Sequence, residues 1–221
     1  GKRLNKKADD SRVEKVLAAG LADSGPVLPV ALHETGKLTP RNKEYLREAD
    51  AVADAASGRT RLMQAVLEDN LPIVSRLLRS GADIDAVDHA GKTALHHAAQ
   101  SASPLMMRLL LLHRPKLDMP TKQGESALML ALAQSEVKPF QAYYLLEAGA
   151  DANLQAKDGT SALHLAIKSP PELFEKVLAA SKNINCRNTK GITPLMTACT
   201  AGALGAVDRL LFYRADLLAA R

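Results

Sequence analysis

Tryptophan is absent from the chain, and the aromatic total is three phenylalanines and four tyrosines. At 3% aromatic content, a core must be built from Leu, Ala, Val and Ile. The basic patches with interleaved aromatics that bind single-stranded nucleic acid are also missing, which argues against a nucleic-acid partner. Cysteine is nearly as scarce. Cys186 and Cys199 are the two thiols, with no C-x-x-C between them, so a disulfide framework is excluded and reduced thiols in a cytoplasmic compartment are expected. Long apolar runs are lacking as well. A run such as Leu109 to Leu112 falls far short of the roughly 20 residues a membrane span needs. The first residues carry no basic-then-apolar leader pattern, so no secretory signal and no membrane segment are expected.

Signature motifs of catalysis are missing too. No Gly-rich phosphate loop, H-E-x-x-H, G-x-S-x-G or pair of carboxylates at motif spacing occurs. The expectation is a chain that is not an enzyme by itself, with no catalytic residue, no metal site and no cofactor.

What the sequence does contain is repetition. "GRTRLMQAV" begins at Gly58, "GKTALHHAA" at Gly91, "GESALMLAL" at Gly124, "GTSALHLAI" at Gly159 and "GITPLMTAC" at Gly191, at intervals of 33, 33, 35 and 32 residues. A second element keeps step: "VSRLLRSGADID", "MRLLLLHRPKLD", "YYLLEAGADAN", "KVLAASKNIN" and "VDRLLFYRADLL". A fixed period of this size marks a stacked array of supersecondary units. In each unit, spacings such as Leu95 to Ala98 put apolar residues on one face of a short helix. Thr93 and Thr193 stand at cap positions, and Pro194 suits a first helical turn. Ile73, Val74, Leu77 and Leu78 form the stripe of a second helix. Gly81 and Gly149 fall where that helix needs a left-handed end, and the Asp- and Gly-rich links read as turns.

"TALHHA", "SALHLA" and "TPLMTA", with "LLRSGADIDA" and "LLEAGADANL", resemble ankyrin repeats, whose unit centres on Thr-Pro-Leu-His-x-Ala. The resemblance covers Gly58 to Arg221 and implies an all-α ankyrin-repeat solenoid of helix-turn-helix units with hairpin-like tips. Its units run over 58–90, 91–123, 124–158, 159–190 and 191–221. Residues 1–57 do not follow the repeat and read as an N-terminal helical cap. Thr39 and Pro40 start its second helix, and Tyr45, Leu46, Ala49, Val52 and Ala53 form an apolar stripe. At the other end, the last copy stops inside what should be its next tip.

The resemblance implies that His96 and His164 are structural imidazoles bonded to turn backbone. His97 occupies a position the family leaves free. Two adjacent residues point about 100° apart on a helix, so His96 and His97 do not form a metal pair. The implied function is a protein-protein interaction module that binds a folded partner. Its concave face should be lined by Gln64, Glu68, His97, Gln100, Leu130, Gln134, Leu165, Lys168, Thr197 and Thr200. Val87, His89, Lys122, Gln123, Lys157, Arg187 and Lys190 should rim it from the tips. The net charge is +5; residues 1–57 carry ten Lys and Arg against nine Asp and Glu, and the remainder nineteen against fifteen. A basic edge along the tips would favour a protein partner with an acidic surface. The module is expected to be monomeric alone and cytoplasmic. An alternative is the substrate-recruiting domain of a larger enzyme, such as a bacterial effector that modifies host proteins, whose place would be the host cytosol.

Three departures from the pattern stand out. Arg114, Pro115 and Lys116 replace Gly81, Ala82 and Asp83 of the preceding copy. Leu109 and Leu112 fall at positions usually polar and suggest an apolar patch on the convex side. The third copy inserts two residues near Phe140, Tyr143 and Tyr144, which either fill the gap left by the longer turn or anchor a partner.

Overall fold

The computed structural model describes residues 52–101, 103–134 and 139–213. The expected cap helices up to residue 51, the inserted turn around 135–138 and the chain beyond Tyr213 lie outside the described residues. The chain divides into two compact units, Gly1–Pro115 and Lys116–Arg221.

The described part of the first unit opens with a hairpin. β1 (Val52–Asp54) pairs antiparallel with β2 (Arg59–Thr60). This corrects the expectation that Val52 and Ala53 close a helical stripe. The Asp54 carboxylate accepts from Ala56 N at 3.0 Å and from Ser57 Oγ at 2.6 Å, and Gly58 N donates to Asp54 O at 2.8 Å. An Asp that satisfies the turn after it offers the backbone a rival to the helix. Two helix pairs follow: α1 (Arg61–Leu67) with α2 (Leu71–Arg79), and α3 (Ala94–Ser101) with α4 (Pro104–Leu112). Thr60, Asn70 and Ser103 cap α1, α2 and α4 by accepting from Met63 N, Ile73 N and Met106 N. Asp69 adds a link between pairs, its carboxylate accepting from both N and Oγ of Ser103.

Leu62, Met63, Leu95, Met106, Met107 and Leu110 are fully buried, and each contributes about 1.5–3 kcal/mol by leaving water. Ala98 is fully buried as well; its small side chain lets α3 approach its neighbours. Val74 and Leu77 of the expected α2 stripe are buried, whereas Ile73 is exposed. On α4 the apolar patch divides. Leu112 is 60% exposed, but Leu109 is buried with Met106, Met107 and Leu110 at helical spacing, so it belongs to the core stripe and not to an outer patch. α2 is followed by Gly81 at φ +88°, as its glycine predicts. The chain after α4 also turns left-handed, with Arg114 at φ +51°. The tight ending survives the substitution at a cost of about 1–2 kcal/mol for a side chain in that region.

Among the described residues, the second unit holds three pairs: α5 (Ala127–Leu132) with α6 (Pro139–Ala148), α7 (Ala162–Leu165) with α8 (Pro171–Ala180), and α9 (Pro194–Thr200) with α10 (Leu204–Phe212). α7 tightens into a 3₁₀ turn at Ala166–Lys168. Ser169 and Pro170 both precede a proline, which bars them from helical backbone, so the segment has to stop there. Thr193 caps α9 through Met196 N, with Pro194 in the first turn. Gly149 follows α6 at φ +96°. Phe140 is exposed, Tyr143 and Tyr144 are half-buried, and the Lys176 ammonium sits 4.9 Å from the centre of the Tyr143 ring. Consecutive repeats are tied by Asp151 N donating to the Asp118 carboxylate at 2.9 Å.

Candidate functional site: repeat tips and first-helix face

Four tips share one backbone design. Asp88 N bonds Lys92 O, Thr121 N bonds Glu125 O, Ala156 N bonds Thr160 O and Asn188 N bonds Ile192 O, at 2.9, 2.9, 2.9 and 3.1 Å. The glycine before each last residue takes positive φ. At two of them a second constraint acts: a Cβ on Gly124 would lie 2.9 Å from Lys157 N, and one on Gly159 would lie 2.8 Å from Asn188 Cα. Within the second unit the tips are therefore pressed together, and main-chain bonds join them in series. Lys157 N donates to Gln123 O and Thr189 N to Asp158 O, both at 2.8 Å. Lys122, Gln123, Lys157, Arg187 and Lys190 are all exposed on these three joined tips.

In the first unit Val87 and His89 are exposed, but His89 is tethered. Its backbone N donates to Ser57 O at 2.9 Å and its ring Nδ1 to Ala56 O at 3.2 Å, so the ring lies over the preceding turn.

The first helices carry the other expected residues. Gln64 donates to Glu68 at 2.8 Å, Gln100 accepts from Lys92 Nζ at 2.8 Å, and Gln134 donates to Leu130 O at 3.0 Å. Thr197 and Thr200 turn their hydroxyls back onto Thr193 O and Thr197 O. Lys168 and Thr200 are exposed, and Gln64, Gln100, Gln134, Leu165 and Thr197 are half-buried.

Two of the expected face residues are not open to a partner. Leu130 and His97 are each only 4% exposed. His97 Nε2 donates to Asp88 Oδ2 at 3.0 Å, while Asp88 Oδ1 accepts from Ala90 N and Lys92 N at 2.8 Å each. Burial pulls the imidazole below its usual pKa despite the pull of Asp88, so it is neutral. For Asp88, burial pushes upward, but the bonds from Lys92 N, His97 and Ala90 N outweigh it and hold the carboxyl below the usual range. His97 is thus a pillar under the second tip. A signal existed in the sequence: the second copy alone has both an acid at the tip's first position and a histidine nine residues on. The other copies carry Thr121 with Leu130, Ala156 with Leu165, and Asn188 with Thr197.

His96 and His164 hold the turn backbone. Thr93 N donates to His96 Nδ1 at 3.1 Å, and Ser161 N donates to His164 Nδ1 at 3.3 Å. A backbone N–H can only donate, so Nδ1 is the acceptor in both rings. His164 Nε2 then donates to Ile192 O of the next tip at 3.0 Å, and burial lowers its pKa. Cys186 is half-buried with Sγ 3.2 Å from Ser161 Oγ, and Cys199 is exposed; both are free. Among the described residues, no three His, Cys, Asp or Glu gather to hold a metal ion. No described helix is long and apolar enough to cross a membrane.

Comparison with known proteins places this geometry. The family described as "Ankyrin repeats (3 copies)" matches residues 62–141 and 138–220. The chain is 33% identical to dog (Canis lupus familiaris) inversin over 139 residues, 62% of this chain and 13% of that protein. It is 30% identical to the chicken (Gallus gallus) nuclear factor NF-kappa-B p105 subunit over 149 residues, 65% of this chain and 15% of that protein. It is 33% identical to mouse (Mus musculus) Rabankyrin-5 over 168 residues, 74% of this chain and 14% of that protein. In each case the matched stretch is a small part of a much longer protein.

Proposed function

We propose that this chain, which belongs to the ankyrin-repeat family, binds a folded protein partner through its tips and the exposed residues of its first helices. Ankyrin repeats are generally protein-interaction modules, so the chain acts by binding and not by catalysis. The observation that supports this site is the joining of Gln123 to Lys157 and Asp158 to Thr189. Exposed residues on a rigid edge meet a partner without first paying to become ordered. The contact set is Gln64, Glu68, Val87, His89, Gln100, Lys122, Gln123, Gln134, Lys157, Leu165, Lys168, Arg187, Lys190, Thr197 and Thr200. His97 and Leu130 support it from below. The lysines favour a partner with an acidic surface. The module is monomeric alone and works in the cytoplasm.

Affinity capture with the full chain, followed by mass spectrometry, identifies the partner. Replacing Lys122, Arg187 and Lys190 by Glu should then slow association and weaken its salt dependence while the fold stays intact. Unchanged association rates in the folded triple variant would place the partner elsewhere. A second reading, recruitment of a substrate by a larger enzyme, draws on the small share of each relative that the matched stretch occupies. Captured proteins that are modified in the presence of the longer protein would support it.

A further inference from the structure

In the second unit, the second helix of a repeat receives a cation from the repeat that follows. Lys176 of α8 sits 4.9 Å from the centre of the Tyr143 ring and 3.9 Å from Glu147 Oε1, both on α6. Arg209 of α10 in turn places its Nε 2.8 Å from Glu175 Oε1 on α8. α8 starts at Pro171 and α10 at Leu204, 33 residues later. The same shift sets Arg209 in the place of Lys176 and Asp208 in the place of Glu175. Asp208 is exposed and, among the described residues, makes no ion pair. The acid that continues the series stands open.

The apolar surroundings of that acid repeat as well. On α8, Phe174 and Leu178 flank Glu175 and are each only 3% exposed, with α10 packed against the helix. Their counterparts on α10 are Val207, half-buried, and Leu211, 39% exposed, and Leu204 before them is 77% exposed. Leu204, Val207, Asp208 and Leu211 lie at i, i+3, i+4 and i+7, which is one face of a helix. α10 thus repeats the receiving face of α8, and the described residues leave it open. We propose that this face docks an amphipathic helix of a partner protein, whose apolar stripe carries one Arg or Lys in register with Asp208. The contact of Arg209 with Glu175 is the template for that fit. A second copy of this chain is disfavoured as the occupant, because two such faces would bring Asp208 towards Asp208 with no cation in the stripe to answer them. The surface is additional to the tips and first helices and shares no residue with them.

The test uses the full chain labelled with ¹⁵N and observed by NMR, a method suited to weak binding. The probe is an Ala/Gln-based helical peptide of about sixteen residues with Leu at positions 4, 8 and 11 and one Arg at 7. That spacing copies Ala206, Arg209, Leu210 and Tyr213 of α10. A control peptide carries Glu at position 7. An exposed ion pair changes affinity by a factor of about 1.5 to 5, and the control adds repulsion to the loss of the pair. The expected result is a Kd about three- to tenfold lower for the Arg peptide, with the amides of Val207, Asp208 and Leu211 shifting together. Asp208→Lys, a change at an exposed position that leaves the fold intact, should invert the preference in favour of the Glu peptide. Leu211→Ser should weaken both peptides alike, because it removes part of the apolar stripe.

Equal Kd values for the two peptides, or a preference that survives Asp208→Lys, would overturn the charge register and the proposal with it. If neither peptide moves the α10 amides in the full chain, the face is closed to a partner helix and the proposal fails. If the same amides shift when the chain alone is diluted, the occupant is a second copy, which also overturns it. None of these outcomes bears on binding through the tips, which is read separately from the triple charge reversal.

Discussion

The second tip, at Asp88 to Lys92, and the tips of the second unit reach the same backbone turn by different means. The second tip is held from beneath by a buried acid and a buried neutral imidazole, 3.0 Å apart. In the tip at 121–125 the buried Thr121 hydroxyl accepts from Gln123 N and Glu125 N, and in the tip at 156–160 the exposed Asp158 carboxylate accepts from Thr160 N and the Thr160 hydroxyl. Holding a turn with buried polar groups fastens it strongly but makes it sensitive to loss of either partner and to acid. Holding it with a neutral hydroxyl or an exposed carboxylate avoids burying a charge. A single repeat pattern thus accommodates one tip specialised for anchoring and three whose surface is open for recognition.

The largest effect should come from the anchored tip. Asp88→Ala strands the His97 donor and the N–H groups of Ala90 and Lys92, and should cost about 3 kcal/mol in urea denaturation. Asp88→Asn keeps one acceptor oxygen and should recover roughly half. A loss under 1 kcal/mol for the alanine variant would mean that the anchoring contrast is not real.

Next come the glycines of the crowded tips. Gly159→Ala meets both positive φ and a contact of 2.8 Å with Asn188 Cα, whereas Gly191→Ala meets positive φ at +75° and nothing within 4 Å. The first should cost about 2 kcal/mol or more and the second about 1 kcal/mol. Equal melting temperatures would show that the tips are not pressed together.

Acid should sharpen the contrast further. His97 and His164 have folded pKa values below the ordinary histidine value, so below about pH 6.5 the unfolded chain binds more protons than the folded one. Stability is therefore full above that pH and is lost as pH falls through it toward the folded values. Melting curves from pH 7.5 to 5 should show this decline, and His97→Gln should flatten part of it. A pH-independent melting temperature would contradict the neutral, buried imidazoles.

The smallest effect belongs to the half-buried hydroxyl of Thr160, which donates to the exposed Asp158. Thr160→Ala should change stability by about 0.5 kcal/mol, while freeing Asp158 to compete for Lys157. Weaker binding of an acidic partner with unchanged stability is the expected signature, read by titration beside thermal melting.

Periodicity made much of this legible before any coordinates. Five copies of one phrase placed the helix pairs, Gly81 and Gly149 marked helix ends, and Thr193 with Pro194 marked a start, because such signals act within a few residues of themselves. His96 and His164 were readable for the same reason, since Thr93 and Ser161 stand three residues before them. Other features depended on which groups meet in space. His97 lies at a free position of the repeat, yet Asp88 comes beneath the turn to bury and bind it. Leu109 reads as an outer residue until the phase of α4 brings it into line with Met106 and Leu110. Asp54 closes a turn that converts Val52–Asp54 into a strand, and Arg114 takes the left-handed backbone that glycine supplies elsewhere. Local rules determine what the chain prefers at each position; packing decides where two preferences conflict, because burial energy of several kcal/mol outweighs a backbone preference of about one.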